Sequence, residues 1–186
     1  GRQVDQVSLR EAKDLLEKHI PLKKDMLIEY LHLLNDKYKG LHAKHLRALS
    51  ELSGLSMAEI YEVASFYAHF DVIKEDETPP PALTIRVCDS LSCELAGSQQ
   101  LQKALEDGLD PTEVRVLRAP CMGRCDTAPV LELGHKHIDH ATPEKVRSAI
   151  AAGDTNAVIP EYETLSAYRS GGGYTALADL RSGGDW

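Results

Sequence analysis

The stretch LTIRVCDSLSCELAG, residues 83–97, contains the pattern that decides how this chain folds. Its first five residues, LTIRV, predict a strand that ends directly at Cys88. A second cysteine, Cys93, follows after four further residues. Helical spacing then begins and continues from Gly97 to Glu106. The stretch therefore indicates an α/β unit in which a strand leads into a loop that carries two cysteines.

A second cysteine pair repeats this arrangement. Val114–Leu117 predicts another strand, and the segment RAPCMGRCDTAP, residues 118–129, places Cys121 and Cys125 in the loop after it. Three residues separate these two cysteines, and the 27 residues 94–120 separate the two pairs. Loops that follow neighbouring strands can face one cavity, so we expect the four thiols to lie together.

The segment after the second pair completes a small sheet. Val130–Leu133, a turn at Gly134 and a short strand near His137 predict a hairpin. Thr142 then provides a helix cap, with proline at the first helical position, and the helix extends to about Ala152. The order strand, helix, strand, strand, strand, helix predicts an α/β domain over residues 82–152.

Four thiolates at these spacings are suited to iron or zinc. A [2Fe–2S] cluster takes four, two to each iron, and backbone amides between the cysteines can offset its negative charge. Gly123 allows a close backbone approach, and Arg124 either adds positive charge or faces solvent. A four-cysteine zinc site accepts similar spacings, and unligated buried cysteines are a third alternative. A thiol–disulfide active site is disfavoured because no Cys-x-x-Cys occurs.

Residues 1–73 are predicted to form a helical bundle of about four short helices. Ser8 and Ser56 each have a glutamate three residues later, which is the pattern of a capping box. The second and third helices are expected at Met26–Tyr38 and at about Ala43–Leu52. The charged and proline-rich segment KEDETPPP, residues 74–81, predicts a linker.

The composition is that of a globular protein. Hydrophobic residues make up 42% of the 186 residues, and the net charge is −8. This acidic balance argues against nucleic acid as a partner. No apolar run approaches the ~18 residues of a membrane span, and no secretory signal is visible, so a cytoplasmic location is expected. Cysteines there stay reduced, which favours metal binding over disulfides.

The two cysteine segments, with EVASFYAHF at residues 62–70, closely resemble the small thioredoxin-like [2Fe–2S] subunit family. This family includes the 24 kDa-type subunit of NADH dehydrogenase and its counterparts in NAD-reducing hydrogenases and NAD-dependent formate dehydrogenases. The resemblance covers about Leu9 to Ala152. It implies an N-terminal helical bundle followed by a thioredoxin-like [2Fe–2S] ferredoxin domain. By this resemblance the cluster ligands are Cys88, Cys93, Cys121 and Cys125.

Two further segments extend the resemblance. HKHIDHATPEKV, residues 135–146, is most similar to the soluble formate dehydrogenase branch. IPEYETLSAYRSGGGYTALADLRSG, residues 159–183, resembles the opening of the FMN- and NAD-binding flavoprotein that partners this family. Residues 153–186 are therefore expected to be a linker and the start of a flavoprotein-like segment. One departure is that the 27 residues between the cysteine pairs are fewer than in many respiratory members.

The resemblance implies a component of an NAD-dependent oxidoreductase complex, with formate dehydrogenase ranked first, that converts formate and NAD⁺ to CO₂ and NADH. FMN, NAD and further iron–sulfur clusters are expected on the flavoprotein, and a molybdenum or tungsten pterin on a catalytic formate dehydrogenase subunit. No catalytic residue is assigned, because this chain alone holds no complete substrate site. The alternatives are a zinc-stabilised docking module without electron transfer and a free-standing ferredoxin.

Three histidines lie close together in the predicted hairpin and after it. Alternation along a hairpin places His135 and His137 on one face, and His140 follows. No carboxylate or cysteine completes a convincing metal-binding set with them. The sequence therefore favours surface or hydrogen-bonded histidines.

Overall fold

The computed structural model describes residues 4–183. Their contacts divide the chain into two units, one ending at Asn156 and one beginning at Ala157. Within residues 4–183, no helix is both long and apolar enough to cross a membrane. The helices are α1 (Gln6–Leu16), α2 (Leu27–Tyr38), α3 (Ala43–Ser53), α4 (Met57–Phe66), α5 (Leu91–Leu95), α6 (Ser98–Gly108), α7 (Pro143–Ala151), α8 (Leu165–Ser170) and α9 (Thr175–Arg181). The strands are β1 (Leu41–His42), β2 (Val72–Ile73), β3 (Leu83–Cys88), β4 (Val114–Ala119), β5 (Leu131–Leu133) and β6 (Lys136–Ile138).

Helices α1–α4 form the predicted bundle around one apolar core. Each helix contributes side chains that are fully removed from solvent, which stabilises the bundle by about 1.5–3 kcal/mol per large side chain. β1 and β2 pair in parallel and join the end of α2 to the segment after α4. The fully buried core residues of the bundle are Ala12, Leu16, Leu31, Leu34, Leu41, Ala48, Leu49, Ile60 and Ala64.

The two predicted capping boxes have different outcomes. At α4 the prediction is confirmed: the Ser56 hydroxyl accepts from the Glu59 backbone N–H, and the Glu59 carboxylate accepts from the Ser56 N–H. At α1 the prediction is wrong, because the helix begins at Gln6 and Asp5 caps it. The Asp5 carboxylate accepts from both the backbone N–H and the hydroxyl of Ser8, and a charged acceptor forms the stronger bond.

The four-stranded sheet has the order β4-β3-β5-β6. β3 and β4 are parallel, and their register places Cys88 opposite Ala119. β5 is antiparallel to β3, and the β5–β6 pair forms the predicted hairpin. Because carboxyl ends of parallel neighbours meet at one edge, the segments that follow β3 and β4 start side by side.

Helices α6 and α7 pack on this sheet through a second apolar core. The predicted start of α7 is confirmed, because Pro143 occupies its first turn and the Thr142 hydroxyl accepts from the Lys145 N–H. The α/β fold class, with a helical bundle before a thioredoxin-like domain, is therefore confirmed. The buried residues of the second core are Ile85, Val87, Leu101, Leu105, Val114, Leu131, Leu133, Ile138, Ala141 and Val146.

The bundle and the sheet are in direct contact within the first unit. The guanidinium of Arg115, on β4, binds the Asp71 carboxylate with two hydrogen bonds. Arg86, on β3, donates to the backbone carbonyl of His69 at 2.8 Å. Residues 74–81 contain neither helix nor strand, as predicted for the linker. Both cores belong to one contact unit, and the domain boundaries inside it stay a prediction.

The second unit consists of α8 and α9 with a glycine-rich turn between them. Thr164 caps α8 by accepting from the Ala167 N–H. The Gly173 N–H donates to the Tyr168 carbonyl at 2.8 Å. A Cβ at Gly173 would lie 2.3–2.5 Å from atoms of Tyr168, so this turn requires glycine.

Candidate metal centre

The first cysteine pair is buried at the carboxyl end of β3. Cys88 is the last residue of the strand, and its N–H donates to the Val130 carbonyl at 3.1 Å. Cys93 lies on α5, a five-residue helix, rather than in the loop that the sequence indicated. A helix this short carries too few apolar repeats to be recognised from periodicity. Both cysteines are only 2% exposed.

The second cysteine pair is exposed and lies just beyond β4. The Sγ atoms of Cys121 and Cys125 are 3.8 Å apart, and the Gly123 N–H points at the Cys121 Sγ from 3.4 Å. This geometry needs glycine, because Gly123 has a φ of 74° in the left-handed region. The loop therefore turns a backbone donor toward sulfur, as the sequence predicted for this position.

The four thiols act on one another electrostatically. Burial, followed by contact with Cys88, raises the pKa of Cys93. The Gly123 N–H, followed by the Cys125 thiol, lowers the pKa of Cys121. The neighbouring Cys121 raises the pKa of Cys125, and Cys88 contributes in the same direction. The structure thus brings all four predicted residues to one place, where Val130, Met122 and Ala128 pack against the buried pair.

Sulfur separations distinguish between two irons and one zinc. Around a single zinc all four sulfurs lie about 3.8 Å apart, because Zn–S bonds of about 2.3 Å point to the corners of a tetrahedron. Cys121 and Cys125 meet this distance as a pair. Across residues 4–183, however, no three cysteine sulfurs lie within 4.8 Å of one another. Two irons with two thiolates each require close sulfurs only within each pair, and the Cys121–Cys125 pair meets this requirement for one iron.

Arg124, although its side chain is exposed, connects the second cysteine loop to a neighbouring segment through Asp139. Its Nε donates to Oδ1 of Asp139 at 2.7 Å, and a second bond forms from Nη2 to Oδ2. The Thr127 hydroxyl donates to the same carboxylate at 2.8 Å. The Arg124 guanidinium is the main reason that the pKa of Asp139 falls to about 2. This network ties the loop to the segment after β6.

An apolar surface lies beside the buried pair. Leu91 and Leu95, on the same short helix as Cys93, are 71% and 82% exposed. Large apolar side chains grouped on the surface are typical of interaction sites. The sequence pattern did not indicate these leucines, because it cannot show which face of so short a helix is covered.

Four thiols at the adjoining ends of two parallel strands, on a small helix-covered sheet, define a candidate metal–thiolate protein of the α/β class. Comparison with known families agrees, since the model of the thioredoxin-like [2Fe-2S] ferredoxin family matches residues 12–153. The chain belongs to this family.

Similar curated proteins are components of NADH-quinone oxidoreductases. One such component from Aquifex aeolicus is 33% identical over 131 residues, covering 64% of this chain and 79% of its own length. Its counterpart from Thermus thermophilus is 28% identical over 120 residues, and the match covers 60% of this chain and 64% of that protein. The counterpart from Rickettsia bellii is 26% identical over 156 residues, with 78% and 90% coverage.

Among solved structures, an air-oxidised NAD⁺-reducing [NiFe]-hydrogenase has a similar fold. The match has a TM-score of 0.54 at 22% identity. It covers 77% of this chain and 28% of the hydrogenase chain.

Proposed function

We propose that Cys88, Cys93, Cys121 and Cys125 hold one [2Fe–2S] cluster, and that the chain transfers single electrons within an NAD-linked oxidoreductase complex. The observation that carries this proposal is the convergence of four thiols at the adjoining ends of β3 and β4, where the Cys121 and Cys125 sulfurs are 3.8 Å apart. Membership of the thioredoxin-like [2Fe-2S] ferredoxin family supports the same cofactor. When bound, the cluster supplies a one-electron redox centre.

The protein's own residues set the properties of that centre. The Gly123 N–H stabilises negative charge on the Cys121 sulfur, which favours electron uptake. Burial of Cys88 and Cys93 excludes water on one side, whereas the exposed pair leaves the other side open for transfer. The Arg124–Asp139 bonds hold the exposed loop in one conformation, which limits reorganisation on electron transfer.

The expected partner is a flavoprotein that binds FMN and NAD. Two kinds of similar protein are named for NADH or NAD⁺: the NADH-quinone oxidoreductase components and the NAD⁺-reducing hydrogenase. This similarity supports an NAD-linked complex. The exposed Leu91 and Leu95 place an apolar surface within a few residues of a cluster ligand. A partner docked there would approach the cluster closely. A cytoplasmic location is part of the proposal, because a reducing compartment keeps the thiols available.

Formate is the electron donor that we rank first. This assignment rests on the resemblance of residues 135–146 and 159–183 to soluble formate dehydrogenases and their flavoprotein. It places a molybdenum or tungsten pterin on a separate catalytic subunit. Hydrogen and NADH are the competing donors, since the hydrogenase and the NADH-quinone oxidoreductases are also similar.

The complex itself provides the test. The tagged chain is purified anaerobically from its native cells and assayed for FMN, iron and substrate-dependent NAD⁺ reduction. We expect FMN, iron and formate-dependent formation of NADH. Hydrogen-dependent activity in place of formate would overturn the donor and keep electron transfer. An active complex whose chain contains zinc and no cluster iron would overturn electron transfer and leave a docking module.

A further inference from the structure

A second group of metal-binding side chains lies where the bundle meets the sheet. Asp36 comes from α2, His69 from the segment after α4, and His135 from the turn between β5 and β6. One potential ligand atom from each residue lies within 4.8 Å of the other two. Nε2 of His135 is 3.1 Å from Oδ1 of Asp36. We call these three residues the junction cluster.

We propose that the junction cluster binds one divalent transition-metal ion, zinc in particular, and thereby fastens the helical bundle to the sheet. Two imidazoles and one carboxylate are a common set of protein ligands for zinc, with a water in the fourth position. Bonds of about 2.0–2.2 Å in a tetrahedron place such ligand atoms about 3.4 Å apart. The His135–Asp36 pair, at 3.1 Å, is close to this separation, and a ligand atom of His69 lies within 4.8 Å of both.

The neighbouring groups favour a metal-binding form of His69. Nδ1 of His69 faces Oε2 of Glu132 at 3.7 Å, and a carboxylate on one ring nitrogen commonly leaves the other to bind metal. The His69 ring is stacked on the His135 ring, with the ring centroids 5.4 Å apart. The His32 ring also contacts the His69 ring, with the centroids 5.0 Å apart.

The position is open to ions from solvent. The three side chains line a cavity of about 320 Å³, and their exposed fractions are 48% for Asp36, 21% for His69 and 41% for His135. Two arginines on the same wall, Arg86 and Arg115, are paired with Glu132 and Asp71 respectively. Their positive charge is therefore largely offset before a cation arrives.

The local sequence could not indicate this cluster. Asp36 is 99 residues from His135, so no local pattern connects the two side chains. His135 is 41% exposed and within hydrogen-bonding distance of Asp36, so the expectation of a surface or hydrogen-bonded histidine is confirmed. The structure places it beside Asp36 and His69, whereas His137 and His140 are not in the group.

The test uses the full chain with its cysteines already occupied by iron. Cluster-loaded protein is incubated with zinc, passed through a desalting column, and analysed for zinc and iron by mass spectrometry. We expect about one retained zinc per chain with no loss of iron. His69→Ala and His135→Ala should each weaken zinc binding at least about tenfold, the scale of losing even an indirect metal partner. His19→Ala, which removes an exposed histidine of the bundle, should bind like the wild type.

A second measurement distinguishes zinc bound at the junction cluster from zinc bound non-specifically at the surface. Zinc should raise the melting temperature of the wild type and of His19→Ala, because an ion that binds only the folded state stabilises it. It should leave His135→Ala and Asp36→Asn unchanged. Equal zinc retention by the wild type and all variants, or zinc retained only as iron is lost, would overturn the proposal. Neither result would alter the cysteine-bound cluster, so the two proposals fail separately.

Discussion

At the scale of single residues, the two candidate sites differ in how the fold brings their side chains together. The four cysteines occur as two local pairs, each after a predicted strand. A local pattern of this kind can be recognised from the sequence alone. Asp36, His69 and His135 meet only through the docking of the bundle against the hairpin. Nothing within a few residues of any of them indicates the other two.

Replacement of one buried cysteine tests the role of the site directly. Cys93→Ser exchanges a thiolate for a weaker oxygen ligand at a position that is 2% exposed. We expect the iron content to fall from about two per chain to less than about half of that, or the remaining cluster to show altered visible absorption and EPR spectra. Iron analysis and spectra of the purified variant measure this.

The matched control for this substitution is Leu91→Ala on the same short helix. Leu91 is 71% exposed, so its truncation should leave iron content and spectra at wild-type values. If Cys93→Ser retained two irons with an unchanged spectrum, Cys93 would not be a ligand.

At the scale of elements, the regular helices followed from the sequence and the short ones did not. α3 ends at Ser53, one residue after the predicted Leu52, with Gly54 in the left-handed region as its cap, and α4 begins at the predicted Ser56 cap. The α1 cap was misplaced because Asp5 competes with Ser8 for the same role. α5 and the two-residue strands β1 and β2 lack a periodic pattern, since contacts with distant segments determine them.

The α4 cap gives a prediction about pH. The Lys24 ammonium, followed by the Ser56 backbone N–H and hydroxyl, lowers the pKa of Glu59 to about 2. The unfolded value is near 4.3. A lowered folded pKa stabilises the protein above the unfolded pKa, and this contribution is lost as pH falls from about 4.3 toward 2. Glu59→Gln should therefore lower the urea midpoint at pH 6, and the difference from wild type should shrink by pH 3.

Glu62→Gln is the control, because it removes an equal charge one turn later on α4 without altering the cap. Its urea midpoint should differ from the wild type by the same small amount at both pH values. Comparing each variant with the wild type at one pH cancels any loss of the cluster in acid. A Glu59→Gln difference that stayed constant from pH 6 to pH 3 would contradict the assigned pKa.

The apolar face of α5 gives a prediction about partner binding. Leu95 is 82% exposed beside the cluster site, so Leu95→Lys should weaken binding of the flavoprotein at least about tenfold, or about 1.4 kcal/mol. The EPR spectrum of the isolated chain should not change. The amount of FMN that copurifies with the tagged chain measures the effect.

Val7→Lys on α1 introduces the same charge at another exposed apolar residue, and it should copurify with FMN like the wild type. Equal loss of FMN in both variants would indicate a general effect of the added lysine. An unchanged FMN content in Leu95→Lys would show that the partner binds elsewhere.

At the scale of the whole molecule, the bundle and the sheet pack as one unit through groups from distant segments. The sequence predicted two separate cores, and the structure contains both of them. It could not predict the contacts between them, because Arg115 and Asp71 are 44 residues apart and pair only when β4 lies beside the end of the bundle.

A double-mutant cycle measures this contact. Arg115 forms two hydrogen bonds to Asp71, and both side chains are more than half buried. We expect a coupling free energy of about 1 kcal/mol between Arg115→Ala and Asp71→Ala in urea unfolding. The exposed Arg147–Glu144 pair on α7 is the control and should show a smaller coupling. Equal couplings for the two pairs would show that the Arg115–Asp71 bonds add no specific stability.

The proposed electron transfer depends on the [2Fe–2S] cluster, and one measurement tests directly whether the chain holds it. The isolated chain is purified anaerobically, its iron and zinc are quantified, and an EPR spectrum is recorded after reduction with dithionite. We expect about two irons per chain and a rhombic S = 1/2 signal that disappears on reoxidation. A chain with zinc in place of iron and no such signal would contradict this expectation.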